Sequence, residues 1–348
     1  MKTRKLDLFV VISCGVVIVG FVFFSSNPAT LARAIRQLQF PWIAAALGFM
    51  IAHWLAESAA LHLLLKESAP HRRFWDTVRV TMGGQYFNAI TPFASGGQPF
   101  QAYYLTRQGM DVGDAAGGLL GRFLAYQTAL VAVSTVLLIA RLAFFLERVT
   151  NFTLVVLVGY LVNLAVLAAL VTVGWFRGAA DGICRRAIRL GGKLRLLKDP
   201  GKTQEKADES LRRFHAKFQF ILRHRGRLWI SFLFSVAQIV TLFAVPWCVY
   251  RAFGLSGTDL LTVIAAQGFV SMIASFVPLP GSSGGAEGAF YFFYRPLFSD
   301  DGSLAVAMIL WRLITFYFTV VVGAVFALRA HKTVGQMPPG EKGEQQEP

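Results

Sequence analysis

Apolar residues fill this chain in runs that reach the roughly 20 residues needed to cross a hydrocarbon core of about 30 Å. Short polar segments, several of them basic, separate the runs. The pattern predicts spans over residues 6–24, 41–65, 115–140, 152–176, 228–253 and 304–328. Two further stretches, 80–105 and 260–293, are apolar overall but broken by glycine and proline, the first also by Asn and Gln, unlike a plain lipid-facing helix. Leu31, Ile35 and Leu38 recur at helical spacing in 28–40, which predicts a helix along the membrane surface. Leu211, Phe214, Phe218 and Ile221 share one face of another helix, ringed by Arg212, Arg213, Lys217 and Arg223. That helix is expected on an anionic leaflet, with a soluble connector as the plainer alternative. Asp114 is the expected cap of the 115–140 helix. The first run is longer than a signal-peptide core, and Phe23-Phe24-Ser25-Ser26-Asn27 is no small-x-small cleavage site, so a retained first helix is expected.

The broken stretches share a pattern. Pro92-Phe93-Ala94-Ser95-Gly96-Gly97 and Pro280-Gly281-Ser282-Ser283-Gly284-Gly285 both read P-x-x-x-G-G. Aromatic residues follow each, and then an apolar helix with one arginine, Arg122 or Arg312. Paired, interrupted hydrophobic segments in the two halves of a chain point to a binding site in a transporter. Basic segments place both termini, residues 66–79 and the 177–227 loop on the cytoplasmic side. The first broken segment then enters from the cytoplasm and the second from outside, with an odd number of crossings between them. The expected fold is an all-α polytopic integral membrane protein with about six full transmembrane helices and two re-entrant helical hairpins. Residues 1–330 form one membrane domain, with inverted repeats of about 72–176 and 228–330 and a basic cytoplasmic loop at 177–227. Residues 331–348 are expected to be a disordered cytoplasmic tail.

Charge and composition narrow the chemistry. The net charge is +15, but its excess lies between residues 177 and 227 and beside apolar runs, which is a membrane-orientation bias rather than a nucleic-acid footprint. Cys14, Cys184 and Cys248 are isolated, so neither a metal site nor a disulfide framework is indicated. Nucleophile-elbow, Walker and kinase motifs are missing. No catalytic residue, metal or cofactor is expected.

Arg122 and Arg312 are the main candidates for binding, because a charge in an apolar span costs at least about 2.5 kcal/mol. Glu57, four residues after His53, and Glu287 are candidate partners. Gly96, Gly97, Gly284 and Gly285 allow sharp turns and close backbone approach. The helix that returns from such a turn offers N–H groups and a positive dipole end to an anion such as phosphate. Gln85, Asn88, Gln98 and Gln101 add a polar lining to the first copy, whereas the second offers Ser282, Ser283 and Glu287. The plain alternatives are helix packing through small residues and arginines that snorkel or pair for structure.

The residues Thr91 to Gln101 with Arg122-Phe123, and Pro280 to Gly288 with Trp311-Arg312-Leu313-Ile314, resemble the flippase-like membrane domain family. That family is the transmembrane region of lysylphosphatidylglycerol synthases, also found as stand-alone proteins. The resemblance covers residues 6–330 and implies a bacterial or archaeal cytoplasmic-membrane protein that moves a lipid between leaflets. Only a polar tail follows Leu328, so the soluble aminoacyl-transferase domain and its activity are expected to be absent. The leading expectation is a flippase for a phosphate-bearing lipid, aminoacylated or isoprenoid-linked forms included. A membrane-embedded transferase acting on a lipid phosphate, with Glu57 or Glu287 as acid/base, and an accessory membrane subunit are the alternatives. Expected partners are anionic or phosphate-bearing membrane lipids and either a second copy of the chain or a membrane enzyme, with no nucleic acid.

Overall fold

The computed structural model describes residues 38–149, 152–175, 200–275 and 277–336, together with Ile35, Arg36, Gly182 and Arg186. The expected span at 6–24, nearly all of the 28–40 surface segment and the tail after 336 lie outside the described residues. The described residues are helical and contain no strand. In chain order the helices are α1 (Phe40–Leu65), α2 (Phe74–Ile90), α3 (Gly97–Arg107), α4 (Val112–Arg148), α5 (Phe152–Trp175), α6 (Pro200–Arg223), α7 (Arg225–Ala252), α8 (Leu260–Ala274), α9 (Gly285–Tyr294), α10 (Asp301–Arg312) and α11 (Phe318–Gln336). A π-helical turn, Leu313–Tyr317, joins α10 to α11 without a break.

Five of these units are long and apolar enough to cross a membrane: α1, α4, α5, α7 and the continuous α10–α11 rod. Their apolar residues do not all face inward. Ile139 is 73% exposed and Leu154 is 66% exposed. Leu157, Leu161 and Val321 are exposed as well. An apolar belt of this kind is expected where lipid replaces water as the solvent.

The centre of the molecule is the α1–α7 pair. Ala46, Met50, His53, Glu57, Leu61 and Leu64 are buried along α1 at three- and four-residue steps, so they form one stripe. Ser231 and Ser235 of α7 are fully buried, and small side chains of this kind let helix backbones approach closely. Pro246 lies inside α7, tolerated as in other membrane helices. At the other end of the core, Phe145, Phe152, Phe269 and Phe293 tie α4, α5, α8 and α9 together, with ring centroids between 5.1 and 6.3 Å apart. Such aromatic pairs stabilise beyond the area that they bury.

Two sequence expectations are corrected by local geometry. Asp111, not Asp114, caps α4, accepting from the Gly113 N–H at 2.8 Å. The helix therefore starts earlier, and Asp114 lies in its first turn. The apolar face of α6 does not rest on a leaflet but on α4. Gly113, Gly117 and Gly121 form a stripe at four-residue spacing that admits Ser210, Phe214, Lys217 and Ile221. Phe218 and Ile221 are consequently buried in protein. Glycine spacing within a 37-residue α4, rather than hydrophobicity alone, decides where α6 binds.

Both broken stretches are helical hairpins, α2–α3 and α8–α9, whose arms pack on each other. The turns at their tips also meet: Pro92–Ala94 packs against Pro280–Ser282. Their backbones match residue for residue. The two residues after each proline have positive φ, 54° and 50° at Phe93 and Ala94, and 62° and 53° at Gly281 and Ser282. Left-handed backbone at three non-glycine residues costs roughly 1–2 kcal/mol each, and strain of this kind is held only where the surroundings enforce it.

Candidate functional site

The glycine pairs do less of the turning than their sequence implies. Gly96 has an ordinary helical φ of −80°. Gly97 is needed for space, since a Cβ there would lie 2.2 Å from Asn88 Oδ1. Gly285 likewise abuts Val277. Among the four, only Gly284 has a positive φ, 84°. The N–H groups at the start of these short helices are already bonded within the protein. Gly96 donates to Thr91 Oγ1 at 2.8 Å, Gly97 to Asn88 Oδ1 at 2.9 Å, and Gly284 to Glu287 Oε2 at 2.7 Å. A helix N-terminus satisfied by its own side chains has fewer donors left for an anion.

Both arginines are buried and paired, each in its own half. Arg122 of α4 meets Glu57 of α1, Nη1 to Oε1, at 3.0 Å. The second oxygen of Glu57 accepts from Gln85 of α2 and, at 3.2 Å, from Gln238 of α7. His53 joins this cluster through a 2.8 Å contact between Nδ1 and the Gln238 carbonyl. Arg312 of α10 meets Glu287 of α9, Nε to Oε1, at 2.6 Å. All four carboxylate oxygens are therefore engaged, as buried charge requires. The two guanidinium groups are not fully used. Arg122 Nε and Arg312 Nη2 are buried without a hydrogen-bond partner. Arg312 also lies near the faces of Trp311 and Phe316, with centroids at 5.0 and 5.6 Å. Aromatic faces stabilise a cation without neutralising it.

A cavity of about 230 Å³ opens where the second turn meets α1, α2, α8 and the π-helical turn. Arg312, Gln85, His53, Gln267, Ser271 and Thr315 supply its polar lining. Gly281 and Ser282 bring the turn backbone to its wall. Gly281 is required here, because a Cβ would fall 2.2 Å from Phe316 Cε2. The π-helical turn follows Arg312 directly, and such local widening of a helix is common at functional sites.

The structure thus gathers some of the sequence-derived candidates and disperses others. Arg312, Gln85 and Ser282 line the cavity, and Glu57 and Glu287 stand directly behind Gln85 and Arg312. Arg122 lies off the cavity wall, joined to it through Glu57 and Gln85. Asn88 and Gly96 serve the first turn. Gln101 is buried between α2 and α3 against Gly84, and Gln98 is half-buried on α3 away from the cavity. Gln238, Gln267 and Ser271 did not stand out beforehand. Their signal was an amide or hydroxyl within an otherwise apolar span, which is weak without knowledge of the facing helix.

Long apolar helices, an apolar outer belt and a polar cavity between interrupted helices define a polytopic membrane protein. Residues 8–323 match the lysylphosphatidylglycerol synthase TM region, and the chain belongs to that family. A UPF0104 membrane protein of Archaeoglobus fulgidus is 23% identical over 314 residues, covering 89% of this chain and 93% of that protein.

Proposed function

We propose that the protein moves a phosphate-bearing lipid between the leaflets of the cytoplasmic membrane, with the headgroup passing through the cavity at Arg312. The observation that carries this reading is the Nη2 of Arg312, a cationic donor buried without a partner beside a cavity lined by neutral polar groups. A buried polar group of this kind costs free energy unless something binds it. Membership of a family described as a synthase membrane region supports a lipid as that something. The matched turn backbones support treating 72–176 and 228–330 as repeats. Loop charges then favour opposite insertion, cytoplasmic termini and two re-entrant hairpins. Rocking of one repeat against the other would expose the cavity to each leaflet in turn, while acyl chains remain in lipid. A transport role rather than catalysis follows from this reading, since both carboxylates that might act as acid or base are engaged with arginine.

The test is reconstitution into vesicles carrying a fluorescent phospholipid, with quenching of the outer leaflet reporting exchange. Wild-type protein is expected to accelerate exchange, and Arg312→Gln to abolish it while still eluting as a folded species. Equal exchange by folded Arg312→Gln protein would refute the site. Chemical conversion of the lipid by purified protein would instead favour the transferase reading.

A further inference from the structure

We infer that His53 is a proton site linked to anion binding, so that one proton and one anionic headgroup occupy the cavity together. This deepens the transport reading and rests on it for the lipid source of the anion. The inference starts from which charges beside the cavity can change. Among the described residues that line it, only His53 and Arg312 are ionisable. A guanidinium keeps its charge at physiological pH, whereas an imidazole titrates between about pH 5 and 8. Arg312 is balanced by Glu287 at 2.6 Å, and Arg122 by Glu57 at 3.0 Å. With His53 neutral, these groups carry no net charge, and an anion that enters the cavity brings an uncompensated charge into the membrane interior. Such a charge is costly unless something pairs with it. A proton on His53 supplies the missing positive charge.

Hydrogen bonding assigns that proton to one atom. His53 Nδ1 lies 2.8 Å from the Gln238 carbonyl oxygen, which can only accept, so Nδ1 carries a hydrogen. In the neutral ring Nε2 is then the bare acceptor. Nε2 makes no hydrogen bond with a described residue and, unlike Arg122 Nε and Arg312 Nη2, is not sealed inside the protein. It is the nitrogen that His53 leaves to the cavity. The charged groups around the ring are held by other bonds. On α1, Glu57 gives one oxygen to Arg122 of α4 and the other to Gln85 of α2 and Gln238 of α7. Across the cavity stand Arg312 of α10, held by Glu287 of α9, and the neutral Gln267 and Ser271 of α8 and Thr315 of the π-helical turn. Protonation adds a donor at Nε2 and leaves the Nδ1 bond intact, so the ring can load and unload a proton while it ties α1 to α7. An anionic headgroup and its proton then cross as a neutral pair. Transfer of that pair ignores the membrane potential, which acts on net charge, and follows the proton gradient, inward when the exterior is acidic.

The test is proton uptake, measured near neutral pH by titration calorimetry of the detergent-purified full chain in two buffers of different ionisation enthalpy. The probes are short-chain phosphatidylglycerol, which is anionic, short-chain phosphatidylcholine, which has no net charge, and dimethyl phosphate, an anion without a lipid. Wild-type protein is expected to take up close to one proton per phosphatidylglycerol bound and none with phosphatidylcholine. Affinity for the anionic lipid should then fall about tenfold per pH unit above neutrality. His53→Asn keeps a donor for the Gln238 carbonyl but has nothing to titrate, so it should lose the proton uptake and the pH dependence. His53→Gln should lose them as well, and serves if the first variant misfolds. Failure of wild-type protein to bind phosphatidylglycerol, binding without proton uptake, or uptake that persists in a folded variant would overturn the inference. In vesicles, an acidic exterior should drive fluorescent phosphatidylglycerol into the inner leaflet whichever way the protein inserts. Exchange that ignores the gradient would overturn the coupling. Proton-linked binding without any exchange would sink the transport reading and leave the proton site standing, as would dimethyl phosphate binding as tightly as the lipid.

Discussion

Replacing Glu57 with glutamine tests whether the α1–α4 ion pair holds the centre of the protein. The substitution keeps the side chain's shape and removes its charge. At the observed 3.0 Å between Arg122 Nη1 and Glu57 Oε1, an effective dielectric constant of about 20 gives about 5.5 kcal/mol of attraction. Stranding one partner of a buried pair typically costs about 3–5 kcal/mol, which agrees. The loss falls on more than one bond, because Gln85 and Gln238 both donate to the other oxygen of Glu57. With an unfolding entropy of about 2.1 cal/mol/K per residue, a 348-residue chain should lose about 4–7 °C in melting temperature. Arg122→Gln should lose a similar amount. The double variant should recover most of it, since neutral residues replacing a whole buried pair are often tolerated. Melting of detergent-solubilised protein, followed by fluorescence-detected size exclusion, would read the cycle. Single-variant shifts under about 1 °C, or strictly additive losses, would refute the view that this pair is electrostatically coupled.

Gly117→Leu should push α6 away from α4, because the new Cβ would lie 2.9 Å from Lys217 Cβ. A penalty of about 1–3 kcal/mol is expected, with faster hydrogen exchange confined to residues 208–223. Gly281→Ala combines a φ of 62° with a Cβ 2.2 Å from Phe316, so it should lower the melting temperature. Adding Phe316→Leu should restore only the steric part and leave the backbone cost of roughly 1–2 kcal/mol. For Asp259, burial raises the carboxyl pKa, but bonds from Thr262 and the Arg141 guanidinium outweigh it and hold the group below the usual aspartate value. Its contribution is therefore complete above the ordinary aspartate pKa and disappears as pH falls through the lowered folded-state value. Asp259→Asn should flatten that acid limb in melting curves measured against pH.

Much of the architecture was legible in the order of residues. Five of the six expected spans correspond to described helices, displaced by a few residues at their ends, and the sixth lies outside the described region. Glycine and proline marked both hairpins, because no other residues interrupt an apolar run so directly. The outlying arginines were equally visible, since charge is rare in a span. What pairs with them was not. Glu57 lies 65 residues from Arg122 by number, and nothing along the chain chooses between that carboxylate and Glu287. The structure makes the choice by placing α1 beside α4 and α9 beside α10.

The sequence by itself determined a membrane protein of apolar helices with two matching interruptions, because hydropathy, charge and turn chemistry act over a few residues. Tertiary structure alone decided which helices face one another, and hence that α6 packs on a glycine stripe instead of a leaflet. It also decided that Arg312 borders a cavity with an unused donor while Arg122 lies off its wall. Those outcomes depend on contacts between residues far apart in the chain, where one amide such as Gln267 or Gln238 acquires a role only from the helix opposite.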